Sequence, residues 1–261
     1  MSTRSVAWPA GVPCWVDLAT SDVEGAKALY GAALGWETAD ASGFVACSVG
    51  GRVAAGIRPA PEGARPAWTV YIASDDVVAT GAAITENGGK VVVGPGDAAD
   101  LGRMLIATDP AGAAFGVWQA GTHIGSAVVH EPGGLLWEEA TVADPDAARA
   151  FYGAVFGWGH ELLGEAGAGT GYSMFSLGDG APLGGISGAV PPGHPPYWLA
   201  YFEVADAADS AAAVEVNGGR VLSPVRDCPY GRMAVFADAS KAVFAVIQST
   251  GEARPDRTAT A

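Results

Sequence analysis

The chain has no apolar run approaching the roughly 20 residues that cross a bilayer. Its start, MSTRSVAWPAGVP, has no hydrophobic stretch of the kind that heads a secretory leader. A cytoplasmic protein is expected. Basic residues are scarce, with 14 Lys and Arg against 28 Asp and Glu, a net charge of −14. Such a surface repels nucleic acid and anionic membranes, so neither is expected as a partner. The three cysteines, Cys14, Cys47 and Cys228, are odd in number, far apart and outside any CxxC. That pattern excludes a disulfide framework and a zinc ribbon, and it suits a reducing compartment. GxSxG, GxGxxG and P-loop signatures are also missing, so those three chemistries have no support.

What is present is stated twice. Trp15, Tyr30 and Trp36 return as Trp137, Tyr152 and Trp158, each 122 residues later. AWTVYIASDD (67–76) returns as YWLAYFEVAD (197–206), and NGGKVV (87–92) as NGGRVL (217–222), both 130 later. GRMLIATDPAGAAFGVWQ (102–119) returns as GRMAVFADASKAVFAVIQ (231–248). The order never changes, which marks a tandem duplication joined near residues 121–133.

Each half is itself periodic. Residues 14–20 alternate as a strand. In DVEGAKALYGAALGW (22–36), Asp22 is placed to cap a helix whose Val23, Ala26, Leu29, Tyr30, Ala33 and Leu34 share a face, and Gly35 suits its C-terminal turn. DPDAARAFYGAVFGW (144–158) repeats this with Pro145 at the first helical position. Short strands follow, then a second strand–helix–strands set. The reading is α+β: four βαβββ units over 12–60, 66–119, 134–190 and 196–248, with curled, mainly antiparallel sheets. It assigns an N-terminal segment to 1–11, one domain to 12–120, a linker to 121–133, a second domain to 134–248 and a flexible tail to 249–261.

Paired units of this kind, with the Gly-Trp helix ends, the NGG turns and the DPAG turn before the last strand, resemble the vicinal oxygen chelate superfamily of glyoxalases, bleomycin-resistance proteins and extradiol dioxygenases. The tandem arrangement looks most like actinobacterial members, among them proteins labelled hydroxylases. The resemblance covers residues 12–248. It implies that two units share a sheet-walled cavity, and that metal-dependent members carry His, Gln or Glu on the first and last strands of each unit.

Counting along the family pattern puts Trp15 and Trp137 at the first-strand positions of units one and three, Thr69 and Leu199 at those of units two and four, and Gly116 and Ala245 on last strands. The remaining last strands offer VAAGI (53–57) and LGGIS (183–187). None is a strong donor, so neither a metal nor another cofactor is expected. Strand parity then sets Trp15 with Asp17, Thr69 with Tyr71, Gly116 with Trp118, Trp137 with Glu139, Leu199 with Tyr201, and Ala245 with Ile247 on the cavity side. It puts Glu138 awkwardly beneath a helix, because an unpaired buried charge is costly.

Trp15, Thr69, Tyr71, Trp118, Trp137, Leu199, Tyr201 and Ile247 are thus candidate ligand-binding residues, with core filling the alternative for the tryptophans and tyrosines. Asp17 and Glu139 are the candidate acid–base residues; the alternative is a strand-end carboxylate bonded to backbone or arginine. Gly116, Gly184, Gly185 and Ala245 are read as leaving volume for a ligand. Arg103 and Arg232 are read as ion-pair partners of Asp109 and Asp238. His123 and His130 fall in the linker, His160 after a helix and His194 in a Pro-rich loop, none suited to a metal site. The expected partner is an aromatic or polyketide-like small molecule, held for resistance or sequestration or in an accessory biosynthetic role. The alternatives are a metal-free isomerase, cyclase, lyase or hydroxylase-like enzyme using Asp17 or Glu139, and a glyoxalase-type lyase. The duplication already supplies two-fold pairing within one chain, which is compatible with a monomer.

Overall fold

The computed structural model describes residues 4–41, 43–163 and 171–250. The tail expected over 249–261 therefore lies, from residue 251 on, outside the described residues. Helix α1 (Val23–Leu34) starts where the Asp22 carboxylate accepts from the Gly25 N–H and stops at Gly35, whose φ of 71° is left-handed. Helix α3 (Pro145–Phe156) repeats both devices with Asp144 and Gly157. Asp76 and Asp206 cap α2 (Val77–Glu86) and α4 (Ala207–Val216) in the same way. A side-chain oxygen at this position satisfies amides that the first turn leaves unpaired, which is why each helix begins where its aspartate stands.

The strands form two eight-stranded sheets of identical plan. The first contains β1 (Pro13–Thr20), β2 (Glu37–Ala41), β3 (Phe44–Val49), β4 (Arg52–Pro59), β5 (Ala67–Ala73), β6 (Lys90–Ala98), β7 (Gly102–Thr108) and β8 (Ala114–Ala120). Their order is β2-β3-β4-β1-β5-β8-β7-β6. The second contains β9 (Leu135–Thr141), β10 (Trp158–Leu162), β11 (Ser173–Leu177), β12 (Gly184–Ser187), β13 (Tyr197–Glu203), β14 (Arg220–Cys228), β15 (Gly231–Ala237) and β16 (Val243–Ser249). Their order is β10-β11-β12-β9-β13-β16-β15-β14. Unit one therefore pairs with unit two, through antiparallel β1 and β5, and unit three with unit four, through β9 and β13. The sheets are mixed, because β1–β4 and β5–β8 run parallel, and they end in free edges instead of closing into barrels.

A bulge interrupts each central pairing. Pro13 faces Ile72 and Trp15 faces Tyr71, leaving Cys14 as the extra residue; Leu135 faces Phe202 and Trp137 faces Tyr201, leaving Leu136. One inserted residue breaks the period-two alternation. Leu136, which unbroken parity assigns to the helix side, consequently packs with Leu199, Tyr201, Ala245 and Ile247. Glu138 does lie among buried groups, and it is partnered there.

The helices occupy the space between the two halves, α1 against α4 and α2 against α3. Here the duplicated tyrosines cross-link the domains. Tyr30 donates to Asp238 at 3.1 Å and accepts from the Trp68 indole; Tyr152 does the same with Asp109 and Trp198. Asp109 and Asp238 are thus turn caps tied to tyrosines and not partners of Arg103 and Arg232. Arg103 instead reaches Asp97, its neighbour across the β6–β7 hairpin, and Arg232 reaches Gln248. The Gly-Trp pair ending each helix serves the same joint: Trp36 donates to the Gly133 carbonyl and Trp158 to that of Gly11, each at 2.7 Å. Among the described residues no helix is long and apolar enough to cross a membrane.

Candidate functional site

With one sheet face buried against helices, the other, outer face of each sheet carries the candidate residues. On the first sheet, register aligns Asp17 with Gly56 on one side and Thr69 on the other, and Trp15 with Tyr71. Tyr71 donates to Asp17 at 2.8 Å and Arg58 forms an ion pair with the same oxygen at 3.2 Å. Burial pushes the Asp17 carboxyl above the ordinary carboxylate range, while Arg58 and Tyr71 pull it back. The arginine alternative for this residue is therefore the one the geometry realises. Trp15 is covered: the His123 ring stands edge-on to it at 4.4 Å, and Phe44 packs beside both rings, 6.4 Å from each. Trp118 sits on the same histidine at 5.4 Å and donates to its carbonyl. Burial lowers the His123 imidazole to about 4, so the ring is neutral at pH 7 and acts as an aromatic cap.

On the second sheet, Trp137 and Glu139 stand in register with Tyr201 and Leu199, beside Ala245 and Ile247 on β16. Here, among the described residues, no guanidinium pairs with the carboxylate; the charge of Arg226 acts on the Tyr201 phenol instead. Burial raises Glu139 to about 7, and the neighbouring hydroxyls of Tyr172, Thr141 and Tyr201 oppose the rise. The Tyr172 hydroxyl also accepts from the Trp137 indole at 3.2 Å. Burial and the nearby carboxylate in turn push the Tyr201 phenol well above its ordinary range, so it stays protonated as a donor. Chemically, this face is an apolar platform bearing one proton-exchanging group within a ring of hydroxyls.

The expected volume at the glycines is taken up. A Cβ on Gly116 would meet the Tyr71 ring at 2.1 Å, and one on Gly185 the Tyr172 hydroxyl at 2.2 Å. Gly184 lies under Phe175, whose ring a Cβ would meet at 2.3 Å. These glycines seat the chain's own aromatic rings. A cavity of about 170 Å³ opens beside Trp118, lined by Trp8, Cys14, Ser74, Gln119 and Ile124. That is below the roughly 300–1,000 Å³ of ordinary ligand pockets.

Sequence reasoning missed Arg58, Phe44 and His123 on the first face and Tyr172, Thr141 and Tyr197 on the second. Phe44 starts β3 and Tyr172 immediately precedes β11, and their rings lie against Gly56 and Gly185, so the paired glycines were the available signal.

Two tandem domains, each a pair of βαβββ units sharing one sheet and each built on the same plan of aspartate helix caps, define a glyoxalase-type protein. Residues 14–117 and 134–246 match the Glyoxalase/Bleomycin resistance protein/Dioxygenase superfamily, and the chain belongs to it. It is 41% identical over 249 residues to the putative glyoxylase CFP32 of Mycobacterium bovis, covering 91% of this chain and 95% of that protein. It is 35% identical over 268 residues to the anthracycline biosynthesis protein DnrV of Streptomyces peucetius, covering 91% and 93%. Among solved structures, the Mn(II)-bound glyoxalase from Novosphingobium aromaticivorans superposes with a TM-score of 0.66 at 17% identity, over 95% of this chain and 85% of that one. The 2,3-dioxygenase LapB from Pseudomonas sp. KL28 does so at 0.65 and 14%, over 95% and 96%. These two share the fold.

The fold raises the question of a resident metal. Divalent ions need about three protein oxygen or imidazole donors. On the first face the Asp17 carboxylate is already paired with Arg58. Among the described residues no three His, Cys, Asp or Glu side chains come together. The residues present do not fit the group.

Proposed function

We propose that this chain binds a flat, largely apolar, oxygen-bearing aromatic molecule on an outer sheet face, without a metal, in a sequestering or accessory biosynthetic role. The observation that carries this reading is Glu139. Near neutrality it accepts from a phenol when ionised and donates to a ketone when protonated, and Trp137, Leu199, Tyr201 and Ile247 supply apolar and aromatic area beside it. Polyketide-like aromatics carry hydroxyl and carbonyl oxygens on a flat skeleton, which is the matching chemistry. The similarity to DnrV, and at 33% identity to the anthracycline biosynthesis protein DauV of Streptomyces sp., supports the same class.

The raised pKa of Glu139 also favours a second reading, a metal-free acid–base catalyst, since a group that exchanges its proton near pH 7 is suited to that work. Asp17 suits it less, because Arg58 and Tyr71 hold its carboxylate.

The test is titration of the purified chain with 1,4-dihydroxyanthraquinone, followed by tryptophan fluorescence with and without EDTA, alongside metal analysis. Saturable quenching unchanged by the chelator is expected. Stoichiometric Mn, Fe, Ni or Zn, with binding lost on chelation, would overturn the reading.

A further inference from the structure

The duplication provides an internal comparison, and it deepens the reading just given. The two outer faces descend from one plan, so each position on one has a counterpart on the other. Asp17 and Glu139 both align with a glycine of the parallel neighbour, Gly56 and Gly185. Two places further on, Ala19 faces Arg58 whereas Thr141 faces Ser187. The guanidinium of the first face is thus a hydroxyl on the second. Phe44, against Gly56, becomes Tyr172, against Gly185. A ring without a hydrogen-bonding group becomes one whose hydroxyl accepts from Trp137 and lies beside Glu139, whose acidity it influences.

We infer that the two faces are not equivalent: the chain carries one working site, on the outer face of the second sheet, and the first face is its closed structural counterpart. Closure of the first face is built from the segment after β8. Ser126 bonds through its N–H to the Cys14 carbonyl and through its hydroxyl to that of Ala54, Ala127 donates to Val53, and the Trp8 indole donates to Ser126. This pins the segment across β1 and β4 and lays His123 on Trp15 and Trp118. Trp15 is left 5% exposed and Trp137 only partly buried; the contrast lies at this tryptophan, since Leu199, Tyr201 and Ile247 beside it are themselves buried. The second oxygen of Asp17 and Nε2 of His123 are shut from solvent with no partner among the described residues, as befits a sealed face.

The electrostatics agree. A ligand entering the first face must displace a guanidinium from a buried carboxylate and leave that charge unpaired, which costs more than breaking a neutral hydrogen bond. On the second face a ligand oxygen exchanges with hydroxyls around a carboxyl group that carries no fixed counterion. Tyr172 is then a positioning residue, holding Glu139 and Trp137 in one arrangement.

The experiment uses the full chain and 1,4-dihydroxyanthraquinone, with equal truncations at the equivalent positions, Tyr172→Leu and Phe44→Leu, and with Glu139→Gln. One equivalent bound is expected. Affinity is expected to fall about tenfold or more in Tyr172→Leu and Glu139→Gln, the scale of a lost hydrogen bond to a charged group, and to change by less than about twofold in Phe44→Leu. Two equivalents, or a loss in Phe44→Leu matching that in Tyr172→Leu, would overturn the inference. Failure of the probe to bind counts against the aromatic-ligand reading, and the inequality is then decided by hydroxyl-radical footprinting of the free chain. Oxidation of Trp137, Tyr197 and Met233 with protection of Trp15, Trp118 and His123 is expected. Equal oxidation of both sets would overturn it.

Discussion

Trp158→Ala is expected to remove about 3–5 kcal/mol of stability, the range for deleting a large aromatic side chain from a packed core. Trp158 is 4% exposed. Its ring stacks on Phe175 at 3.8 Å with the planes 11° apart, and lies near-parallel to Tyr152 and Phe156 at 5.2 and 5.4 Å. Its indole N–H holds the Gly11 carbonyl at 2.7 Å, which ties the second domain to the segment leading into the first. The substitution removes the packing and strands a buried acceptor together. Folded domains hold about 5–15 kcal/mol in total, so this loss is a large fraction. Calorimetry should show the midpoint falling by about 10 °C, given about 2–4 °C per kcal/mol for a chain of this size. Trp137→Ala, on the outer face, is expected to cost much less. A loss below about 1 kcal/mol for Trp158→Ala would contradict the reading of that ring as a joint between domains.

Glu139→Gln is expected to change how stability depends on pH. The ordinary value of 4.5 applies in the unfolded chain, and burial raises the folded value to about 7. Below 4.5 the group is protonated in both states. Between 4.5 and 7 the unfolded chain releases its proton while the folded chain keeps it, so stability falls as pH rises; above 7 both are ionised and the fall is complete. At about 1.4 kcal/mol for each tenfold difference in acidity, the fall is on the order of 3 kcal/mol. Glutamine cannot ionise, yet its carbonyl keeps an acceptor beside the hydroxyls of Tyr172, Thr141 and Tyr201. The variant should therefore match or trail the parent near pH 4.5 and exceed it above pH 7. Urea unfolding across this range gives the difference curve directly. A difference that stays flat from pH 4.5 to 8 would show that Glu139 titrates like an exposed carboxylate.

Much of the fold was legible because local and global signals coincide. The aspartate caps, the left-handed Gly35 and Gly157, and the alternation in β1, β5 and β13 all act over a few residues, and their recurrence shows where each unit begins. The pairing of unit one with unit two was not legible, since pairing with unit four would bury the same alternate side chains. The bulges at Cys14 and Leu136 were hidden for a related reason: one extra residue shifts the faces without any change in composition. The aspartates of the DPAG and DASK turns invited pairing with the nearest arginines. Their true partners, Tyr152 and Tyr30, come from the other half of the chain.

The candidate sites were legible to the level of parity. Trp15, Asp17 and Tyr71 share the first face, and Trp137, Glu139 and Tyr201 the second. What distinguishes the faces was not legible, because it rests on residues that arrive from elsewhere. Arg58 reaches Asp17 from the parallel neighbour, His123 comes from beyond β8, and Tyr172 enters through the hairpin before β12. The glycines were misread because a missing side chain looks the same whether it makes room for a ligand or for a neighbouring ring.

The most direct test of the proposed metal-free binding is anomalous diffraction from crystals of the full chain grown with excess Mn(II). The expected result is no manganese peak over Trp15, Thr69 and Gly116 or over Trp137, Leu199 and Ala245. A manganese ion held there by three or more side chains would contradict the proposal.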